Sequence, residues 1–187
     1  MIERLCLDDV PLYAISAFKR VYKNRRFDLL GNSLAIIADI PSADRGREIV
    51  RWTGENCKKL TKRGILPGNL PPVLFPFIEP GDEDWRKRYE KFNQPGEYHN
   101  GGIWPFAVAL YAVSLIKLDL MEKAGMSLLE LAKLVKKSRN PDLNYGFNEW
   151  HRAHTGTAKG QDWQTWSAAL FLYAAKCFER QKVLFLN

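Results

Sequence analysis

One glutamate in a loop rich in aromatic and glycine residues is the first candidate for chemistry. Glu149 lies within the stretch Phe-Asn-Glu-Trp-His at residues 147–151. Burial beside aromatic rings can shift the pKa of a carboxylate, so Glu149 is a plausible general base or nucleophile. Hydrolysis of a glycosidic bond generally needs two carboxyl groups, and Glu149 could supply one of them. The structural alternative is an exposed loop carboxylate with no chemical role.

A second candidate is the stretch Tyr-His-Asn-Gly-Gly-Ile-Trp-Pro at residues 98–105. Two successive glycines before a helix allow a ligand to approach the backbone closely. His99, Asn100 and Trp104 add hydrogen-bond donors, acceptors and a stacking face in the same turn, which suits a neutral polyhydroxylated ligand. The structural alternative is a helix start with an ordinary histidine and a buried tryptophan.

A third candidate is the stretch from Gly160 to Ala169. Trp163 and Trp166 are three residues apart, and Gln164 lies between them. At helical spacing both indoles are predicted to share one face at the start of a helix. This face could contact a sugar, or it could pack both rings into the core.

A fourth candidate, at residues 25–32, is a pairing of Asp28 with the arginines just before it. A structural ion pair at a helix start is the simpler interpretation of these residues.

Other chemistries have weaker support in the sequence. His151 and His154 have a spacing that could bind a metal on a helix, but they lie in a loop and no third ligand is evident. Cys57 and Cys177 are predicted to be core residues of helices. Phosphate-binding and dinucleotide-binding glycine patterns are absent from the sequence. We therefore expect no metal and no cofactor.

The elements that would position these residues are mainly helical. Hydrophobic spacing, prolines and capping residues predict about six helices, at residues 29–39, 42–63, 84–91, 104–120, 128–137 and 163–180. Ser42 and Ser127 are predicted N-caps, and Gly64 a C-terminal cap. Residues 12–22 are predicted to be extended or irregular. Residues 65–82 and 145–160 are predicted to be long loops, the first of them packed against the domain.

The helix pattern predicts an all-α fold. Amphipathic helices alternate with helices that are apolar on nearly every face, and the latter must be covered on all sides. Such helices occur in the inner ring of a double-ring helical barrel or in the centre of a bundle. We expect one domain at residues 1–187, with about half of the helices of a twelve-helix barrel.

Composition limits the class of protein. The net charge of +7 invites a nucleic-acid interpretation, but the basic residues are dispersed in pairs, so we do not expect nucleic acid as a partner. We propose no transmembrane helix, because no run of eighteen apolar residues occurs. An odd number of widely spaced cysteines and the lack of a signal peptide favour the cytoplasm. Six tryptophans are typical of a core or of a carbohydrate site.

Four segments, in this order, resemble the alkaline/neutral invertase family of glycoside hydrolases and the related amylo-α-1,6-glucosidase (glycogen-debranching) type enzymes. They lie at residues 26–36, 98–105, 148–150 and 164–169. The resemblance implies the C-terminal half of an (α/α)6 barrel and hydrolysis of sucrose or another α-glucoside with inversion. It implies that Glu149 is the catalytic base. It also implies that a sugar contacts a set of matching residues, namely Asp28, His99, Asn100, Trp104, Gln164 and Trp166.

The sequence departs from this family at one essential point. The family's general acid lies in an Asp-Ser-x-x-Trp-Trp element earlier in the chain, and this sequence has no match to that element. The acid is not assigned to Asp8 or Asp9, which lack its context. We therefore expect self-association, or a complementary chain with the N-terminal half of the barrel. One alternative is that the sequence is a truncated part of a longer enzyme. Another is a carbohydrate-binding or remnant module without hydrolase activity.

Overall fold

A computed structural model describes residues 26–185 of the chain. The predicted extended segment at residues 12–22 and the acidic pair Asp8 and Asp9 lie outside these residues. Within them the chain forms six helices and four two-residue strands. The helices are α1 (Leu29–Ile37), α2 (Ala43–Lys62), α3 (Tyr89–Phe92), α4 (Pro105–Lys117), α5 (Met121–Val135) and α6 (Thr165–Glu179). The strands are β1 (Phe27–Asp28), β2 (Leu74–Phe75), β3 (Trp150–His151) and β4 (Ala158–Lys159).

The ends of α1 and α2 follow their capping residues. Asp28 caps α1 by accepting from the backbone N–H groups of Leu30 at 3.0 Å and Gly31 at 3.3 Å. The predicted N-cap Ser42 accepts from the N–H of Arg45 at 3.3 Å, and Gly64 follows the last turn of α2 at a φ of 70°. The two predicted helices are confirmed. Their starts could be predicted because a side chain that satisfies free backbone groups fixes a helix end locally.

The predicted starts of three helices were wrong. Helix α5 begins at Met121, so Ser127 lies inside the helix and does not cap it. The buried face of α5 already includes Ala124, four residues before Leu128, and packing therefore extends the helix beyond the apparent cap. The predicted helix at residues 84–91 is a single turn, Tyr89–Phe92. Helix α6 begins two residues later than predicted, because Trp163 has a φ of 51°.

The helices form two layers. In the inner layer, α4 packs between α1 and α6. Helix α4 has no charge before Lys117, ten of its thirteen residues are buried, and Pro105 occupies its first turn. The amphipathic helices α2 and α5 carry the charged residues and lie on the outside. The alternation of inner and outer helices is that of part of an (α/α)6 helical toroid, as the sequence predicts.

Helix α6 is less covered than its composition predicts. Its face toward α4 and α5 buries Ser167, Ala174 and Cys177, whereas Trp166 is 48% exposed and Leu172 is 63% exposed. A helix with apolar residues on opposite faces needs a neighbour on each side. Among the described residues α6 has neighbours on one side.

Candidate active site

Short backbone pairings bring the beginnings of the inner helices together. Beside the β1–β2 pair, the N–H of Leu29 donates to the carbonyl of Val73 at 3.0 Å, and the N–H of Val73 donates to Gly102 at 3.0 Å. Ile103 and His151 then exchange two hydrogen bonds of 2.9 and 2.8 Å. The start of α1, the stretch before α4 and the loop of Glu149 therefore lie side by side.

Further pairings attach the Glu149 loop to the start of α6. The N–H of Glu149 donates to the carbonyl of Gln161 at 2.9 Å. The N–H groups of Trp163 and Gln164 donate to Gly146 at 2.8 Å and Phe147 at 3.0 Å. Residues 146–149 thus run along residues 161–164, and each fixes the position of the other.

The carboxylate of Glu149 is held by the backbone of the same segment. The N–H of Gln161 lies 3.3 Å from Oε2 of Glu149. Gly160, at a φ of 70°, leaves room for this contact, because a Cβ atom there would lie 2.4 Å from the same oxygen. The guanidinium of Arg139 donates to the carbonyl of Gly160 at 2.6 Å. Glu149 is half-buried, and its second oxygen accepts no hydrogen bond from the described residues.

A hydrogen bond between Asn148 and Asp162 holds this loop in place at the residue before Glu149. Asn148 is fully buried, and its amide donates to Oδ1 of Asp162 at 2.6 Å. The hydroxyl of Ser167, in the first turn of α6, lies 3.4 Å from the carbonyl oxygen of Asn148. These contacts link the residue before Glu149 to the beginning of an inner helix.

The turn at residues 97–102 requires its glycines. The N–H of Gly102 donates to the carbonyl of Tyr98 at 2.9 Å, and Gly101 has a φ of 95°. A Cβ atom on Gly101 would lie 2.2 Å from the ring of Phe77, so this position accepts no side chain. The turn presents His99 at the surface and directs Trp104 inward.

Aromatic rings form a continuous platform beside the Glu149 loop. The His99 ring stacks on Trp104 with centroids 4.8 Å apart and planes at 7°. The platform then continues through two further contacts, from Trp104 to Phe106 at 5.8 Å and from Phe106 to Trp166 at 6.4 Å. Tyr98 contacts both Trp104 at 5.1 Å and Trp150 at 5.9 Å. His99 and Trp166 are exposed, and an exposed ring provides a packing surface for the C–H face of a sugar.

His99 and Glu149 are close enough to interact electrostatically. Partial burial lowers the pKa of His99, and the negative charge of Glu149 raises it by a smaller amount. The net lowering favours a neutral imidazole at neutral pH, with one nitrogen that donates and one that accepts. The imidazole of His99 can therefore hydrogen-bond to hydroxyl groups, while the carboxylate of Glu149 accepts a proton.

Two of the predicted site residues are occupied by structural contacts. The Asn100 amide is fully buried: it accepts from the N–H of Ile78 at 2.7 Å and donates to the carbonyls of Ile78 at 2.8 Å and Asn93 at 3.1 Å. Asp28 caps α1, and its pKa is raised by burial and lowered less by the hydrogen bonds from Gly31 and Leu30. Arg26, a predicted partner of Asp28, instead binds Asp82 and Asp84.

The remaining predicted residues belong to the platform or lie next to it. Trp104 is buried and its indole N–H donates to the carbonyl of Tyr98 at 2.9 Å. Gln164 is half-buried at the N-cap of α6, and Trp166 is exposed in the first turn. Trp163 precedes the helix with a positive φ, so it does not share a helix face with Trp166.

The sequence placed Tyr98, Trp150 and Gly160 within candidate stretches but gave none of them an individual role in the site. The first two flank residues that were predicted, and their ring contacts depend on the pairing of Ile103 with His151, which is distant in sequence. Gly160 appears in the sequence as an ordinary loop glycine. Its contact with Glu149 becomes evident only when residues 146–149 are paired with residues 161–164.

A separate groove contains none of the predicted site residues. It is lined by apolar and charged side chains, including Leu70, Ile103, Glu130, Leu134 and Lys137. It lacks aromatic rings and does not include Glu149, so we assign the chemistry to the open platform.

Two kinds of feature are absent from the part of the chain that the structure describes. Residues 26–185 contain no group of three or more His, Cys, Asp or Glu side chains that could hold a metal ion. None of the helices in that range combines the length and apolar character that crossing a membrane requires.

The inner and outer helices, the aromatic platform and the positioned carboxylate define a glycoside hydrolase-like domain. Comparison with known proteins agrees with this class. A sequence model of the family described as "Alkaline and neutral invertase" matches residues 6–181. Since this match spans most of the chain, the protein belongs to the alkaline and neutral invertase family.

Individual relatives are distant and much longer. Alkaline/neutral invertase C, mitochondrial, of Arabidopsis thaliana is 27% identical over 174 residues, which are 90% of this chain and 24% of the relative. Cytosolic invertase 1 of Oryza sativa subsp. japonica is 27% identical over 161 residues, which are 82% of this chain and 26% of the relative. The chain thus spans about a quarter of the length of these relatives.

A solved structure supports the fold. The GH63 mannosylglycerate hydrolase from Thermus thermophilus superimposes with a TM-score of 0.50 and 21% sequence identity. The similarity covers 75% of this chain and 28% of that enzyme.

Proposed function

We propose that this chain supplies the catalytic base and one wall of the sugar pocket of a glycoside hydrolase that acts on sucrose or another α-glucoside. The observation that carries the proposal is the position of Glu149. Its carboxylate is fixed by Gln161 and Gly160 beside an aromatic platform, and its other oxygen has no hydrogen bond from the described residues. Sucrose is proposed because the matching relatives are named invertases.

In this proposal Glu149 removes a proton from the water that attacks the anomeric carbon. A neutral His99 hydrogen-bonds to sugar hydroxyl groups, and the exposed indole of Trp166 packs against the sugar ring. Buried Trp104 acts by supporting the His99 ring that stacks on it. A second carboxyl group must give its proton to the leaving oxygen, as inverting hydrolysis requires. The family's acid element has no match in this sequence, so that group lies on another wall of the pocket.

The other predicted residues receive different roles. We propose that Gln164 lines the pocket. Asn100 and Asp28 act by positioning, since their polar atoms hold the backbone around the site. A single domain, a cytoplasmic location and the glycogen-debranching alternative stay predictions from the sequence.

The test is sugar binding and hydrolysis by the intact chain and by Glu149→Gln. We expect sucrose or an α-glucoside such as maltose to bind to both proteins, with hydrolysis reduced at least about a thousandfold in the variant. Glu130→Gln is the matched control, since Glu130 pairs with Lys133 on α5 and does not border the platform. Equal hydrolysis by wild type and Glu149→Gln would refute the assignment of the base.

A carbohydrate-binding module without hydrolase activity is the second candidate function. The missing acid element is the observation that favours it. Binding measured by calorimetry, with no turnover by wild type at any enzyme concentration, would support this candidate over the hydrolase. If neither sucrose, maltose nor any other sugar tested binds to the chain, both candidate functions are refuted.

A further inference from the structure

The peptide group between Gly160 and Gln161 has a charged side chain at each end. Its N–H, which belongs to Gln161, donates to Oε2 of Glu149 at 3.3 Å. Its carbonyl oxygen, which belongs to Gly160, accepts from Nη1 of Arg139 at 2.6 Å. The N–H and C=O of a trans peptide lie in one plane and point in opposite directions. Arg139 and Glu149 are therefore connected through a single rigid unit.

This peptide follows a residue that restrains it weakly. Gly160 has a φ of 70°, and a glycine adopts several backbone conformations at little cost. Rotation of the peptide plane would turn the N–H of Gln161 away from the carboxylate of Glu149. The hydrogen bond from Arg139 opposes this rotation, because it holds the carbonyl oxygen on the other side of the plane.

The segment that carries Arg139 is itself packed against the loop. Its neighbour Ser138 lies on Gly146, where an added Cβ atom would be 2.7 Å from both Cβ and Oγ of the serine. The N–H of Asn140 donates to the same Oγ at 3.1 Å, which closes a tight turn around Arg139. The guanidinium is thus presented to Gly160 from a turn that already contacts the residues before Glu149.

The contact between Arg139 and Glu149 is indirect. The salt bridges within residues 26–185 include none between these two side chains. A cation at a carbonyl oxygen polarises the whole peptide, so the N–H at the far end becomes a stronger donor. The guanidinium remains protonated at any pH at which the chain is folded, so this polarisation is constant.

We propose that Arg139 is a positioning residue for Glu149 that acts through the peptide between Gly160 and Gln161. The proposal rests on the proposed function, since it concerns the carboxylate that would activate water. Arg139 fixes the direction of the hydrogen bond to Oε2 and strengthens it. The other oxygen of Glu149 is then held in one orientation, in which it takes the proton of the attacking water.

Steady-state kinetics of sucrose or maltose hydrolysis separates positioning from sugar binding. Arg139→Ala should lower kcat about tenfold and change KM less than about twofold, because the exposed rings that contact the sugar are unaltered. Arg139→Lys keeps a cation near the carbonyl and should recover part of the loss. Millimolar guanidinium chloride should restore turnover in Arg139→Ala, and sodium chloride at the same concentration should not.

Arg86→Ala is the matched control. The guanidinium of Arg86 also donates to backbone carbonyls, those of Glu83 at 2.9 Å and Trp85 at 3.0 Å, but these lie in its own surface turn. This variant should keep the wild-type kcat and should not respond to guanidinium.

The amide proton resonance of Gln161 provides a measurement that needs no turnover. A hydrogen bond to a carboxylate moves an amide proton to low field, so Glu149→Gln should shift this resonance to higher field. Arg139→Ala should shift it in the same direction, whereas Arg86→Ala should leave it at the wild-type position.

Three results would overturn the proposal. They are a Gln161 resonance that Arg139→Ala leaves unchanged, a rise in KM at constant kcat, and a loss of kcat that neither lysine nor guanidinium recovers. The second would make Arg139 a sugar-binding residue, and the third would make it a residue of the fold alone. If wild type hydrolyses no sugar, the proposed function is refuted, and the Gln161 resonance decides whether Arg139 positions Glu149.

Discussion

At the residue scale, the orientation of Glu149 depends on the absence of a side chain at position 160. We predict that Gly160→Ala displaces the carboxylate and strains the backbone, because Gly160 has a φ of 70° and a Cβ atom would lie 2.4 Å from Oε2. Gly64→Ala is the control, since Gly64 has the same φ and nothing within 4 Å of its added Cβ. Urea unfolding should show a loss of about 1 kcal/mol from strain in both variants.

Sugar turnover should separate these two variants. Hydrolysis should fall in Gly160→Ala and stay near the wild-type rate in Gly64→Ala. Equal turnover in both would contradict the role of Gly160 in positioning Glu149.

The buried His151 makes the free energy of unfolding depend on pH. Burial lowers the pKa of His151 to about 4, against 6.5 for an unperturbed histidine. Between these values the unfolded chain binds a proton that the folded chain does not, so the free energy of unfolding falls as the pH decreases through this window. The difference amounts to about 3 kcal/mol. Urea unfolding at several pH values should show a shallower dependence in His151→Gln, and an unchanged dependence would contradict the account.

At the element scale, Asp28 can stabilise α1 in two ways, through its capping oxygen and through its negative charge. Substitution separates the two contributions. Asp28→Ala removes the cap of α1 and should reduce the free energy of unfolding by about 1 kcal/mol. Asp28→Asn keeps an oxygen that can accept from Leu30 and Gly31, so it should retain most of the stability. Chemical denaturation measures both effects, with Ser42→Ala as the comparison at the start of α2. If Asp28→Asn is as unstable as Asp28→Ala, the negative charge contributes more than the cap.

The helices that could be predicted are those whose ends are marked locally. Ser42 and Gly64 bound α2, and Pro105 begins α4, so both helices are predictable from the sequence. The start of α5 could not be placed, because the packing of Ala124 determines it more strongly than the capping preference of Ser127. The exposed face of α6 could not be predicted either, since composition indicates that a helix needs covering but not which neighbours are present.

The site was predictable as a set of segments but not as a set of contacts. Glu149, His99 and Trp104 follow from residue types and order. The occupation of Asn100 by the backbone of Ile78, and the contact of Gly160 with Glu149, depend on pairings between residues distant in the chain. Hydrogen-bond partners of this kind are not encoded by local spacing.

At the scale of the whole molecule, the described helices hold the carboxylate of Glu149 beside the exposed rings of His99 and Trp166. The central claim is that Glu149 activates water directly, without forming a bond to the sugar. Proton magnetic resonance of freshly released glucose tests it, because the anomer that forms first records the stereochemistry of the reaction. From an α-glucoside such as sucrose or maltose we predict β-glucose first, and no release above background from Glu149→Gln. Release of α-glucose first, or the same rate of release from Glu149→Gln, would contradict the assignment of Glu149 as the base of an inverting glycoside hydrolase.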